Sequence, residues 1–221
     1  MDFETIRSQA NAEWELLNQK TRILIGTATC GRAAGSGPVA KAFEAELKRQ
    51  NAEAAVNWVG CMGLCYAEPL VVILKPGNFN VCYGKVTPDL VPRLVEGYVL
   101  GDDPQLDLAL GTFEVTNGQA PVIPELSRFE HEMRLILRHC GYVDAENINH
   151  YIARGGYGSL AAALRMRPAE IIDALKRSGL RGRGGAGFPV GRKWELCYRA
   201  PGQPKYVICN ADEGDPGAFI D

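Results

Sequence analysis

The chain has 221 residues, with 24 Lys and Arg against 26 Asp and Glu, which gives a formal net charge of −2. This near-neutral balance gives no electrostatic reason to expect nucleic acid or an anionic membrane as a partner, and the length allows one or two domains with their own cores. The sequence shows neither a basic-then-apolar leader pattern nor an apolar run long enough to span a bilayer. We therefore expect a cytoplasmic protein without direct membrane insertion.

The first hundred residues alternate between helical and extended patterns. Apolar residues at helical spacing predict an amphipathic helix near the N-terminus, where Trp14 and Leu17 share a face, and a second helix over residues 36–50. Strands are predicted at residues 22–25, 56–59, 70–74 and 79–83, and a last short helix is predicted from Thr87. We interpret this succession as a thioredoxin-like α/β domain over residues 1–100.

Three cysteines follow the first two predicted strands. The chain holds seven cysteines and no secretion signal, which favours metal or redox use over a disulfide framework. Cys30 follows the first strand, and Cys61 and Cys65 follow the second. Loops after adjacent strands of this fold meet near one sheet edge, where thiolates can hold an iron–sulfur cluster. These three cysteines are our candidate metal ligands.

This part of the chain resembles the thioredoxin-like [2Fe–2S] ferredoxin domain that is fused to the front of some diaphorase subunits. That family supplies two cysteines around the first loop, whereas this chain has Cys30 alone there. Cys82 is the nearest spare thiol, but it lies on a predicted strand, where burial is a sufficient role. Two interpretations stay open, a [2Fe–2S] cluster with a fourth ligand or a docking domain with three remnant cysteines. A thioredoxin-type redox site is disfavoured because the chain has no Cys-x-x-Cys.

Beyond residue 100 the regular pattern dissolves into Asp, Pro, Gly and Thr, so we predict a linker over residues 101–127. A helix is predicted over residues 168–178, with Pro168 in its first turn and Gly179 as its C-terminal cap. We assign residues 128–221 to a second domain.

The stretch Leu180-Arg-Gly-Arg-Gly-Gly-Ala-Gly-Phe-Pro189 is rich in glycine and arginine. Glycines let backbone N–H groups approach a ligand, while Arg181, Arg183 and Lys193 place positive charge around them, which favours phosphate or another anion. The string matches the Rossmann dinucleotide fingerprint. However, a helix precedes it and Phe188-Pro189 is not expected to open one, so that interpretation fails on context. A flexible surface loop is the less favoured alternative.

A strand-like run at residues 206–209 leads into the acidic stretch Asn210-Ala-Asp-Glu-Gly-Asp-Pro-Gly217. With the glycine-rich stretch and Lys193-Trp194, these residues resemble the flavin- and NADH-binding subunit of respiratory complex I. They resemble still more its soluble relatives, the diaphorase subunits of NAD(P)-linked hydrogenases, formate dehydrogenases and electron-bifurcating complexes. The resemblance covers residues 129–221 and implies the start of an α/β FMN- and NADH-binding domain.

The resemblance implies an NAD(P)H dehydrogenase subunit, in which a hydride passes from NAD(P)H to FMN and single electrons then pass to iron–sulfur clusters. It implies no catalytic acid or base, because hydride transfer requires none. The acidic residues would hydrogen-bond the flavin and the nucleotide ribose, and Phe188 would offer a stacking surface. The implied cofactor-binding residues are Gly182, Arg183, Gly184, Gly185, Ala186, Gly187, Phe188, Lys193, Asn210, Asp212, Glu213 and Asp215.

The resemblance also implies partners, namely other subunits of an electron-transfer complex, including iron–sulfur subunits. In the family the flavoprotein domain continues well past the position of Asp221 and adds a [4Fe–4S] cysteine motif. We therefore expect the 221 residues alone not to turn over NADH. The alternative function is a non-catalytic electron-transfer or docking subunit with a vestigial flavin loop.

Overall fold

The computed structural model describes residues 2–116, 118–127, 129, 131–206 and 208. They fall into two compact units, Met1–Gly156 and Tyr157–Asp221. Among the described residues, no helix is both long enough and apolar enough to cross a bilayer. The division at residues 100 and 127 stays a prediction.

One five-stranded sheet forms the centre of the first unit, with the strand order β2-β1-β3-β4-β5. Its strands are β1 (Thr21–Gly26), β2 (Ala54–Val59), β3 (Val71–Leu74), β4 (Val81–Tyr83) and β5 (Ala109–Thr112). The β1–β2 pair is parallel, because a helical crossover joins the two strands, and the other pairs are antiparallel. The predicted α/β class is confirmed, and β1 to β4 overlap the four predicted strands.

The fifth strand lies within the segment predicted to be a linker. It pairs with β4, and the Thr112 N–H donates to the Pro121 carbonyl at 2.8 Å. Gly111 suits this position because a Cβ there would lie 2.6 Å from the Pro121 carbonyl oxygen. The strand therefore depends on its pairing and on close backbone contact rather than on apolar alternation, and the sequence pattern does not reveal it.

Apolar side chains of β1 alternate between the two faces of the sheet. Ile23 packs with Phe43 in one apolar cluster, and Leu24 packs with Val59 in the other. The helices of this unit are α1 (Phe3–Asn18), α2 (Thr29–Ala34), α3 (Ser36–Gln50), α4 (Val91–Leu94), which continues as a π-helical turn (Val95–Leu100), and α5 (Ile148–Ala153). The crossover from β1 to β2 therefore consists of α2 and α3.

A buried arginine ties the N-terminal helix to the sheet. Arg22 of β1 is 1 % exposed, and its guanidinium donates to Asn57 Oδ1 at 3.2 Å and to Asn18 Oδ1 at 3.0 Å. The guanidinium carbon also lies 4.7 Å from the ring centroid of Trp14. Buried charge is tolerated where its donors are satisfied, so these contacts fix α1 against β1 and β2.

His150 of α5 lies buried against Trp14, with their ring centroids 5.0 Å apart. Burial, followed by the charge of Arg22, lowers the pKa of this imidazole. The unfolded chain thus binds the proton more readily, and stability contributed by neutral His150 is lost as pH falls below the unfolded pKa of about 6.5.

We expect His150→Gln to destabilise the protein at about pH 8, and we expect this cost to shrink at about pH 5, where the wild-type imidazole is itself unfavourable. Urea unfolding of both proteins at both pH values measures the two differences. If the loss of stability in His150→Gln is the same at both pH values, His150 is not buried in its neutral form.

The second unit contains α6 (Gly158–Ala163), α7 (Pro168–Ser178) and α8 (Val190–Arg199). Helix α7 has the predicted bounds, and Gly179 caps its C-terminus with a φ of 66°. Helices α7 and α8 pack so closely that a Cβ on Gly191 would lie 2.6 Å from the backbone nitrogen of Lys176. Lys176 and Glu195 also form an ion pair at 2.8 Å. The glycine-rich stretch connects α7 to α8.

Candidate functional site

The three candidate metal ligands meet at the carboxyl ends of β1 and β2. Cys30 lies in the first turn of α2, and Cys61 and Cys65 lie in the segment that follows β2. Their three Sγ atoms all lie within 4.8 Å of one another, and the Sγ atoms of Cys61 and Cys65 are 3.5 Å apart. Parallel pairing of the two strands produces this convergence, since the segments that follow β1 and β2 leave the sheet at the same end. We name these residues the cysteine edge.

The carboxylate of Glu68 lies beside the cysteine edge, and the sequence pattern did not single this residue out. Glu68 is 7 % exposed, its Oε2 accepts the Leu70 N–H at 2.8 Å, and the Cys30 thiol donates to its Oε1 at 3.7 Å. A glutamate within the apolar context Ala67-Glu68-Pro69-Leu70 was the available signal, because buried carboxylates are uncommon without a partner.

Burial opposes ionisation of two thiols of the cysteine edge and of the carboxyl beside them. It raises the pKa of the Cys61 thiol to about 12, and it also raises the pKa of the Cys30 thiol and of the Glu68 carboxyl. A bound metal ion would displace the proton of each thiol that it binds, because the thiolate is the ligating form. The Gly63 N–H donates to Cys61 Sγ at 3.2 Å and would partly offset the thiolate charge.

Cys82, considered above as a spare fourth thiol, does not join the cysteine edge. It lies on β4, where it pairs with Val72 of β3, and its side chain is fully buried in the apolar cluster that contains Leu24. Burial raises the pKa of this thiol to about 12. In this structure Cys82 is a core residue.

Gly31 keeps the first turn of α2 close to the end of β1. A Cβ at this position would lie 2.1 Å from the Gly26 carbonyl oxygen, so a side chain here would force one of the two backbone segments to shift. We expect Gly31→Ala to destabilise the protein by about 1–3 kcal/mol. Gly37→Ala in α3 is the matched control, because a Cβ there meets nothing within 4 Å and alanine favours a helix. Urea unfolding should separate the two variants, and equal stabilities would contradict the packing argument.

The glycine-rich stretch in the second unit is followed directly by a helix. The expectation that Phe188-Pro189 does not open a helix is wrong, because Pro189 occupies the N-cap of α8, with φ −62° and ψ 119°. Proline is compatible with such an extended φ, and its missing N–H is no loss at a helix start. The element before the stretch is α7 rather than a strand, so the Rossmann context is still not met.

Two backbone hydrogen bonds close the stretch into a narrow loop. The Gly182 N–H donates to the Phe188 carbonyl at 2.9 Å, and the Val190 N–H donates to the Leu180 carbonyl at 2.9 Å. At the tip, Gly185 and Gly187 have φ values of 98° and 62°, a region that favours glycine. Within the described part of the chain, the amides of residues 183–187 form no backbone hydrogen bond. We name residues 180–189 the glycine loop.

Positive side chains surround the glycine loop. Arg181 and Arg183 are exposed, and the Arg183 Nη1 donates to the Arg181 carbonyl at 3.1 Å. Lys193 lies exposed in the first turn of α8, and Phe188 is 44 % exposed. Unpaired amides, guanidinium groups and a helix N-terminus are together the features of an anion site.

The predicted flavin residues divide between the glycine loop with α8 and a stretch outside the described residues. Gly182, Arg183, Gly184, Gly185, Ala186 and Gly187 lie together in the glycine loop. Asn210, Asp212, Glu213 and Asp215 lie outside the described residues. Their role at the flavin stays a prediction.

Comparison with known proteins agrees with the resemblance stated from the motifs. The family model described as the Nuo51 FMN-binding domain matches residues 175–221, which include the glycine loop. The chain is 55 % identical over 90 residues to the NADP-reducing hydrogenase subunit HndC of Solidesulfovibrio fructosivorans, which covers 41 % of this chain and 18 % of that subunit. It is 46 % identical over 101 residues to a subunit of the NADH-quinone oxidoreductase of Aquifex aeolicus, or 46 % of this chain and 23 % of that protein.

A third relative extends across both units. The alpha subunit of the NAD-reducing hydrogenase HoxS of Cupriavidus necator is 30 % identical over 214 residues, which is 91 % of this chain and 32 % of that subunit. The chain thus spans less than a third of the length of these relatives.

Among solved structures, a thioredoxin-like [2Fe–2S] ferredoxin from Aquifex aeolicus is 23 % identical, with a TM-score of 0.37, over 42 % of this chain and 98 % of that chain. An NAD⁺-reducing [NiFe]-hydrogenase is 22 % identical, with a TM-score of 0.31, over 99 % of this chain and 37 % of that chain.

Proposed function

We propose that this chain belongs to an NAD(P)H-oxidising flavoprotein subunit of a multi-subunit electron-transfer complex. The observation that carries the proposal is the glycine loop, whose tip amides are open, whose positive side chains are exposed, and whose residues fall within the match to the FMN-binding domain. The relatives named for NADP-reducing, NAD-reducing and NADH-quinone activities support the same class of reaction.

The residues of the glycine loop fit the phosphate of FMN. Gly184, Gly185 and Gly187 leave the backbone amides accessible, and Arg183 with Lys193 balances the charge of the phosphate. When bound, FMN accepts a hydride from NAD(P)H and releases electrons singly. Phe188 is exposed beside the loop and offers a flat apolar surface to an aromatic ring. Asn210, Asp212, Glu213 and Asp215 complete the proposed set.

The cysteine edge is the second proposed redox element, where Cys30, Cys61 and Cys65 would hold an iron–sulfur cluster. Three thiols within 4.8 Å at one sheet edge have the donor chemistry that such a cluster needs. Other subunits of the complex, iron–sulfur subunits among them, would receive the electrons, and we place the complex in the cytoplasm. We also propose that the 221 residues alone do not turn over NADH, because most of each relative's length lies outside the match.

Equilibrium titration of the purified protein with FMN, followed by flavin fluorescence, tests the flavin assignment. Riboflavin is the matched ligand because it lacks only the phosphate. We expect saturation near one FMN per chain. Riboflavin should bind at least about tenfold more weakly than FMN, since the loop is proposed to bind the phosphate. Equal affinities, or no saturable binding of either flavin, would favour the docking subunit with a vestigial loop.

A further inference from the structure

We propose that Glu68 supplies the fourth protein ligand at the cysteine edge, so that a [2Fe–2S] cluster is held by three thiolates and one carboxylate. This proposal rests on the cluster assignment made above and names the residue that completes it. Clusters of this type take four protein ligands, and the cysteine edge contributes three.

The distances bring the four donors together at one place. Cys61 and Cys65 have their Sγ atoms 3.5 Å apart, and the Cys30 Sγ lies 3.7 Å from Glu68 Oε1. Two ligand atoms about 2.0–2.3 Å from one tetrahedral metal ion lie roughly 3.3–3.8 Å apart. Glu68 Oε1 therefore has ligand spacing from Cys30, whose Sγ itself lies within 4.8 Å of the Sγ atoms of Cys61 and Cys65. The carboxylate is thus a fourth donor at the place where the three thiols meet.

The carboxylate occupies space that a side chain from the first loop would otherwise fill. A Cβ on Gly26 would lie 2.9 Å from Glu68 Oε2, and a Cβ on Gly31 would lie 3.2 Å from the same oxygen. The β1–α2 junction thus lacks side chains at the two positions that face the carboxylate. The first loop supplies only the Cys30 thiolate, and Glu68, which precedes β3, supplies the remaining donor.

Glu68 also lacks the partners that normally compensate a buried carboxylate. It is 7 % exposed, and its polar contacts are the Leu70 N–H and the Cys30 thiol. No Lys or Arg among the described residues forms an ion pair with it. Burying a carboxylate without a countercharge is costly, and a coordinated metal ion supplies that countercharge. Oxygen donors are acceptable to iron beside thiolates.

The test compares variants of the full chain after anaerobic reconstitution with ferrous iron and sulfide. Iron and acid-labile sulfide are measured per chain, and electron paramagnetic resonance (EPR) spectra are recorded after reduction with dithionite. We expect about two irons and two sulfides in the wild type. Glu68→Ala and Glu68→Gln should each retain about a tenth of that iron or less. Glu68→Cys should retain it fully but with shifted g values, because a thiolate replaces an oxygen donor.

Glu46→Gln is the matched control, because Glu46 is equally buried at 7 % exposure but lies on α3 and is paired with Arg49. It should load like the wild type. Wild-type iron content and g values in Glu68→Ala, or unchanged g values in Glu68→Cys, would overturn the proposal. Zinc, or iron without sulfide, in the wild type would also overturn it. If the alanine and glutamine variants do not fold, the g values of Glu68→Cys decide the question, and the FMN titration above is independent of every arm.

Discussion

Replacement of Cys61 by alanine is expected to remove nearly all iron from the reconstituted protein, a loss of about tenfold or more. The Cys61 Sγ lies 3.5 Å from that of Cys65 and accepts the Gly63 N–H at 3.2 Å, so both a second thiol and the following backbone hold it in place. Alanine leaves no donor at this position, and two thiols with one carboxylate are too few ligands for two irons.

Cys82→Ala is the control for the Cys61 substitution. It also removes one thiol, but from the apolar cluster beneath the sheet, and it should cost stability without changing iron content. Iron and sulfide analysis of both variants, beside the wild type, measures the contrast. Iron loss in Cys82→Ala with retention in Cys61→Ala would reverse the assignment of core and ligand residues.

The second large effect is expected at the tip of the glycine loop. Gly185 has a φ of 98°, where a β-branched residue is strongly disfavoured, so Gly185→Val must either strain the backbone or move the amides of the tip. If the tip relaxes by moving its amides, FMN binding must restore their positions at a cost of about 1–3 kcal/mol, which is roughly a fivefold to 150-fold loss of FMN affinity. The FMN fluorescence titration described above measures it.

Gly202→Val is the matched control for the loop variant. Gly202 has a φ of 103° and lies after α8, outside the glycine loop, so the same substitution imposes similar backbone strain away from the proposed phosphate site. We expect it to bind FMN with wild-type affinity. If both variants lose affinity equally, the effect is general destabilisation and the loop assignment is not supported.

The sequence predicts the sheet and the convergence of the cysteines because both depend on local pattern. Strands β1 and β2 are apolar runs, and a helix between them makes their pairing parallel, which brings Cys30 and Cys61 to one edge. The glycine loop follows from composition in the same way, since glycines and arginines at this spacing indicate an anion site.

The apolar context of Glu68 signals its burial, but its place beside the cysteines and the formation of β5 could not be predicted from local pattern because both depend on distant pairing. Glu68 faces Gly26 and Gly31 only because β3 lies antiparallel against β1, a neighbour that the sequence does not identify. Strand β5 needs β4 and the Pro121 carbonyl to form. Helix α8 was missed for a different reason, since a proline after a glycine-rich stretch suits both a loop and a helix start.

Anaerobic addition of NADH or NADPH to the protein purified with its native subunits tests whether the chain belongs to an NAD(P)H-oxidising flavoprotein. We expect FMN to co-purify, its visible absorbance to bleach on addition of the nucleotide, and an EPR signal of a reduced iron–sulfur cluster then to appear. Absence of FMN from the purified complex, or FMN that stays oxidised in the presence of both nucleotides, would contradict this assignment.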